Sequence, residues 1–158
     1  MRRSLHFAFL ALGILCIVSC SKESVTTEDI PVAINAVAVE QELLELVNTY
    51  RNAIGASSLQ FSALAYEYAN LHTDYMISKG TISHDNFSAR ASKIASETNA
   101  KEVAENVAMD YLTAADAFQG WLDSPNHKST MEADFTHTAV SVKINAAGDY
   151  FYTQLFFK

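Results

Sequence analysis

Histidine and glutamate are the residue types that could carry chemistry in this chain. Of its five histidines, His72, His84, His127 and His137 all fall in the second half or just before it, beyond an apolar N-terminus. Glu105 lies between small apolar residues in Lys101-Glu102-Val103-Ala104-Glu105-Asn106-Val107-Ala108-Met109. A carboxylate flanked by Ala104, Val107 and Ala108 is either at the surface of a short segment or partly buried and in need of a partner. A histidine is an apt partner. Neutral imidazoles with a carboxylate can hold zinc when three such ligands converge beside a water. The same groups can instead form a hydrogen-bonded network in which the carboxylate fixes the imidazole tautomers and favours their protonation. Hydrolysis by a metal-bound or histidine-activated water is open to such a cluster in principle. No His-Glu-x-x-His helix and no Gly-x-Ser-x-Gly elbow occurs in the sequence.

Each histidine needs an element to position it. His127 belongs to Gly120-Trp121-Leu122-Asp123-Ser124-Pro125-Asn126-His127-Lys128, which holds the only tryptophan. Ala117, Phe118, Trp121 and Leu122 have the spacing of a helix face laid on a core. Pro125 disfavours helix at Ser124 and turns the chain, which predicts His127 on irregular backbone just past a helix end. A plain helix stop with a solvent-facing histidine fits the same residues. His84 sits on a polar turn, Thr81-Ile82-Ser83-His84-Asp85-Asn86, after Gly80. His72 lies mid-helix beside apolar positions, where a hydrogen-bonded packing residue is expected rather than a ligand.

The elements themselves follow from periodicity. A first helix is predicted over about 40–53, with Leu43, Leu44, Leu46, Val47, Tyr50 and Ile54 as its apolar stripe and Gly55 as its stop. A second runs from a Ser62 cap to Lys79, burying Leu64, Ala65, Tyr68, Leu71, Tyr75 and Met76. Residues 88–97 form a short amphipathic helix through Ala91, Ile94 and Ala95. Val140, Val142 and Ile144 alternate with Ser141 and Lys143; a turn at 146–149 follows. Tyr150 to Phe157 is a strand apolar at nearly every position, which implies cover on much of both sheet faces. Helices ahead of a terminal hairpin point to an α+β layered domain.

The N-terminus reads as an export signal over 1–19: Arg2-Arg3, then an apolar run from Phe7 to Val18 that is shorter than the about 20 residues a membrane span needs. Ile17-Val18-Ser19-Cys20 resembles a bacterial lipobox, which implies cleavage before Cys20 and a lipid anchor on it. Cys16 would leave with the signal, so the remaining domain has no cysteine for a disulfide, a metal or a thiol nucleophile. Residues 20–38 read as the lipidated cysteine and a flexible tether. The Ser21-Lys22-Glu23 start resembles the short charged signals that send some lipoproteins to the outer face of the outer membrane. Residues 39–158 form one domain, long enough for a single core. The formal charge of −7 becomes −9 when Arg2 and Arg3 are removed, because 1–19 hold no acid. An acidic chain without a basic cluster argues against nucleic acid as a partner.

Ser83-His84-Asp85, Ala104-Glu105-Asn106-Val107-Ala108, Trp121 to Lys128, Phe135-Thr136-His137 and the Tyr152-Thr153-Gln154-Leu155-Phe156 end, in that order behind a helix pair, resemble the CAP superfamily. That group contains the cysteine-rich secretory proteins, antigen 5 and plant pathogenesis-related proteins; here the likeness is to its bacterial SCP-like extracellular branch. It covers about 40–158. It implies a three-layer α-β-α sandwich with a central antiparallel sheet, and a cleft of two histidines and two glutamates that in some members holds a divalent metal. His84 matches the first histidine. Glu105 matches the glutamate of a Gly-Glu-Asn motif, with Ala104 in place of the glycine. The second glutamate falls at Ser124 and the last histidine at Asp134, so the four-residue set is incomplete. His127, in a Ser-Pro-x-His stretch typical of the bacterial branch, is the preferred replacement and His137 the secondary one. The resemblance thus implies a cleft lined by His84, Glu105, Ser124, His127 and His137, with His84, Glu105 and His127 as the ligands of any zinc, calcium or magnesium. The function expected is an envelope-anchored, lipid-modified domain binding a lipid, sterol-like, peptide or glycan ligand. The alternative is a metal-dependent hydrolase acting on peptide or cell-wall material, with no catalytic residue assigned.

Overall fold

The computed structural model describes residues 33–158. The export signal, Cys20 and most of the tether therefore lie outside the described residues. Among those described, the order is β1 (Ile34–Asn35), α1 (Val37–Ala53), β2 (Gln60–Phe61), α2 (Ala63–Lys79), α3 (Phe87–Thr98), β3 (Val103–Met109), α4 (Ala114–Asp123), α5 (Pro125–Glu132), β4 (His137–Ile144) and β5 (Tyr150–Phe157). No described helix is long and apolar enough to cross a membrane. The ordered elements begin earlier than the expected boundary at residue 39. Asn35 pairs with Lys143, and Ala36 donates its N–H to the Val142 carbonyl, so the end of the expected tether is an edge strand with α1 directly behind it.

The sheet has the order β1-β4-β5-β3, antiparallel throughout, with two-residue β2 added to β4 in parallel. One helical layer, α1, α4 and α5, covers one face; the other, α2 and α3, covers the opposite face. This is an α+β, three-layer α-β-α sandwich. Double cover explains β5, which is buried from Phe151 to Phe157. Tyr152 and Phe156 join Trp121, Leu43 and Val47 in one core, whereas Leu155 and Phe157 join Ala65, Ala69 and Ile94 in the other.

Local signals locate the helices well and their faces less well. Ser62 caps α2 by accepting the Ala65 N–H, and Gly80 closes it in the left-handed region at φ 68°. The expected stripe of α2 is rotated, however. The helix buries Ala65, Ala69, His72, Thr73 and Met76, and Leu71 is 57% exposed. Ala65 and Ala69 let the helix approach the sheet closely, and the Thr73 hydroxyl donates to the Ala69 carbonyl or meets Thr153 Oγ1 at 2.9 Å. A close, small-residue face thus prevails over the larger apolar residues.

Pro125 also acts differently from the expected turn. Ser124 is extended, as expected, but Pro125 is the first residue of α5, where its missing N–H costs nothing and its fixed φ suits the helix. His127 is therefore helical rather than on irregular backbone.

Arg51, in the last turn of α1, holds the region after α5 in place. It is 1% exposed and donates to the carbonyls of Ser57, Met131, Ala133 and Phe135 at 2.6–3.2 Å. Among the described residues it makes no salt bridge, so its guanidinium serves as a planar cluster of donors for chain that has no ladder of its own. Replacing it with methionine leaves four carbonyls without that donor. Urea unfolding of Arg51→Met should show a loss of about 3 kcal/mol or more; a loss under about 1 kcal/mol would mean that water replaces the guanidinium freely.

Candidate functional site

The site is assembled around Glu105. β3 carries it at the end of the sheet, facing α2 and α3, with its side chain 1% exposed. Arg90 reaches it from α3: Nε and Nη2 donate to Oε2 at 2.9 and 2.6 Å, and Nη1 donates to the Asp85 carbonyl at 3.0 Å. The guanidinium therefore binds the carboxylate and the turn that carries His84 together. His84 Nδ1 lies 2.9 Å from Oε1. The carboxylate can only accept, which assigns the proton to Nδ1 and leaves Nε2 as the free acceptor of the neutral ring. The His84 side chain is 54% exposed, so that nitrogen is within reach of solvent or ligand.

His72 completes the arrangement from α2. Its Nε2 lies 2.7 Å from the Ser83 carbonyl and 3.6 Å from Glu105 Oε1. The proton on Nε2 donates to Ser83, which fixes the turn immediately before His84. Burial lowers the pKa of His72; Glu105 opposes the shift and the Arg90 charge adds to it. His72 is thus a neutral positioning residue. It is the packing histidine the sequence leads one to expect, but it packs against the site itself.

His127 approaches from the other helical layer. Its carbonyl accepts from Asn106 Nδ2 at 3.1 Å and its ring lies 6.5 Å from that of Trp121, centroid to centroid. Burial lowers its pKa, and His84 is near enough to lower it further. The cleft itself has a volume of about 190 Å³ and is lined by His84, Phe87, Val103, Ala104, Glu105 and Thr130. Ala104 takes up space there that a glycine would leave open.

His127 is not among the residues that line the cleft, and the remaining expected residues are elsewhere. Ser124 is the N-cap position of α5 and makes no capping bond with its side chain. His137 stacks on Phe157 at 4.8 Å and bonds to Thr136. Neither lines the cleft. Arg90 is the functional residue that sequence reasoning missed. Its signal was present: it stands four residues before Ile94, on the face of the short helix that must be buried.

In the arrangement described, Glu105 is not free to ligate a metal. Both Glu105 oxygens are committed, one to a guanidinium that would repel a cation, and among the described residues no three His, Cys, Asp or Glu side chains form a group able to hold a metal ion. His84 and His127 alone would have to serve. What the arrangement can do without a metal is hold one imidazole in a fixed tautomer beside a small cleft, where it can accept a proton or a hydrogen bond.

The fold and site define an α+β domain, a three-layer α-β-α sandwich with a His–Glu pair on its sheet beside a small cleft. The chain belongs to the cysteine-rich secretory protein (CAP) family, whose sequence profile matches residues 44–156. It is 29% identical over 123 residues to the Bacillus subtilis protein described as "Uncharacterized membrane protein YlbC", an alignment that takes in 75% of this chain and 34% of that protein. The chain thus spans about a third of that relative's length. Among solved structures, an outer surface protein of Borrelia burgdorferi superposes with a TM-score of 0.71 at 16% identity, over 80% of this chain and 96% of that one. An extracellular protein with an SCP domain from Bacillus anthracis gives 0.67 at 23% identity, over 77% of this chain and 41% of that one. A cysteine-rich secretory protein from Staphylococcus aureus gives 0.65 at 18%, over 80% and 40%. At these identities the likeness is one of fold.

Buried His72 and half-buried His127 make stability pH-dependent with a definite sign. Both have folded pKa values below their ordinary ones, so as pH falls below about 6.5 the unfolded chain binds protons that the folded chain resists, and stability drops. Above that pH neither contributes. Denaturation midpoints should fall between about pH 6.5 and 5, and a His72→Gln, His127→Gln protein should show a flatter profile there. An unchanged slope in the double variant would assign the titration to other groups.

Proposed function

We propose that this is an envelope-associated CAP domain whose cleft binds a polar group of a peptide or glycan through His84. The observation that carries the reading is the double hold on Glu105. With Arg90 balancing its charge and His84 Nδ1–H donating to it, the outward nitrogen of His84 is an oriented acceptor next to a cavity of about 190 Å³. That volume suits one sugar ring or amino-acid side chain better than an extended lipid chain, which would need a longer apolar channel. Membrane attachment through lipid on Cys20 and an address at the outer membrane, on its outer face, are part of the same proposal. Their support is the Arg2–Cys20 sequence and the outer-surface, extracellular, secretory and membrane descriptions of the relatives.

The His84–Glu105 pair is also the half of a hydrolytic site that orients a base, which keeps hydrolysis of peptide or cell-wall material as a second reading. Its metal-dependent form would have to free Glu105 from Arg90 to gain a third ligand. Elemental analysis of natively purified chain distinguishes the two. Zinc, calcium or magnesium at one ion per chain, lost in a His84→Ala, His127→Ala protein, would favour the hydrolase; no stoichiometric metal is expected.

The binding reading is checked by NMR titration with short peptidoglycan oligosaccharides and stem peptides. Shifts should cluster at His84, Ala104 and Thr130, and His84→Ala should weaken binding by about tenfold, the effect of losing one oriented polar contact. Equal affinity in that variant would remove the cleft from the binding surface. For the anchor, Cys20→Ser should move the protein from the membrane to the soluble fraction of cells; retention in the membrane would rule out lipid on that residue as the attachment.

A further inference from the structure

A second buried carboxylate lies at the opposite edge of the sheet, and its surroundings describe a different site. The outer edge of β4 is covered in two pieces: β1 pairs with it at Lys143 and Ile144, β2 at His137 and Thr138. The carbonyls of Thr136 and Thr138 accept from Gln60 and Ser62, and that of Val142 accepts from Ala36. Backbone groups alternate in direction along a strand, so the even-numbered residues of β4 face this edge. Val140 lies between the two pieces. Its N–H and C=O face the gap, and among the described residues they find no partner there.

Glu40 of α1 fills part of this gap. It is 6% exposed, and its Oε1 accepts the Val142 N–H at 2.9 Å and Asn35 Nδ2 at 2.7 Å; its Oε2 accepts the Tyr66 hydroxyl at 2.8 Å. Those three donors are neutral, and among the described residues no Lys, Arg or His pairs with the carboxylate. A carboxylate offers about four acceptor positions, so one on Oε2 is left over. Outside it is a cavity of about 390 Å³, lined by Glu40 and Tyr66 together with Val37, Leu44, Phe61 and Val140. Phe61 is 57% exposed, and its ring stands 5.8 Å from that of Tyr66 at 56°, which makes an aromatic wall at the opening.

We propose that this cavity is a binding site for an organic ammonium with an apolar or aromatic body. Charge complementarity decides the class. A buried carboxylate with only neutral donors lacks the cation that such groups ordinarily have, and an ammonium N–H on Oε2 supplies it. A second N–H can reach the Val140 carbonyl. Phe61 and Tyr66 present ring faces to the cation or its apolar body, and Val37 and Leu44 cover the remainder. An anionic amphiphile of the same shape would place like charge against Glu40 and is excluded.

The test uses the purified full chain and two probes of similar shape and opposite charge, 2-phenylethylammonium and 3-phenylpropionate. The cation should bind saturably, with a Kd at or below about 1 mM, and shift the amides of Val140 and Val142 in NMR spectra. The anion should not bind. Glu40→Gln should abolish the preference for the cation. Because Glu40 also supports β4, Phe61→Ala provides a second variant on an exposed side chain, and it should weaken binding by about fivefold. Absence of saturation, equal binding of the two probes, or unchanged affinity in Phe61→Ala would each overturn the site and leave Glu40 as a plug for the strand edge. His84 takes no part in these outcomes, so they stand or fall independently of the cleft on the other face.

Discussion

The constraint on which the site depends is that Glu105 has almost no access to water. Removing an ionised carboxylate from water costs several kcal/mol, which only close partners offset. The partners come from three separate places: Arg90 on α3, His84 on the turn before it, and, at longer range, His72 on α2. The single carboxylate therefore fixes how α3 lies on the sheet, where the turn at 83–86 runs and which nitrogen His84 exposes. Asn86 enters α3 with φ 59°, a left-handed conformation that asparagine tolerates better than most residues and that lets the turn fold back over β3. The precision of the site is thus a consequence of a desolvated charge that allows few alternatives.

The same fold contains a second solution to the same problem. Glu40 is buried on α1 with only neutral donors, and its bond to the Val142 N–H completes an edge that β1 and β2 leave partly open. Unpaired strand edges invite pairing with other chains, and a side chain that occupies the edge prevents it. One carboxylate balances charge and orients a histidine; the other protects a strand and leaves an unmet demand for a cation. The difference lies in a guanidinium being present at one site and absent at the other.

Much of this order was legible in the sequence, and the parts that were not share a cause. The ends of α2, the span of α3 and the β4–β5 hairpin follow from Ser62, Gly80, the Ala91–Ile94–Ala95 spacing and the turn at 146–149, all local signals. Strands β1 and β2 have two residues each, too short for any period, and exist because β4 receives them. The polar positions of β4 are buried by partners on α2: Ser141 bonds to Asn70 and Lys143 to Asp74. Arg51, Arg90 and Glu40 were missed as buried groups for one reason: a charged side chain is buried only by virtue of its partners, and those partners are distant in sequence. Hydrophobic periodicity can mark the face such a residue stands on, as for Arg90, but not the partner that buries it.

The positions that break the family's four-residue set now have a physical reading. Asp134, where the resemblance expects the last histidine, has its side chain almost fully exposed, lies 3.6 Å from the Lys158 ammonium and is not among the residues that line the cleft. Ser124, where it expects the second glutamate, begins a helix. With those two ligands lost, a metal would depend on Glu105, and that group is neutralised by Arg90 at 2.6 Å. The three features are compatible with one another, because a carboxylate held against a guanidinium already has its charge balanced. What persists from the larger set is the His84–Glu105 hydrogen bond, and its value is then geometric. It fixes the tautomer and direction of one ring and leaves Nε2 as its outward acceptor.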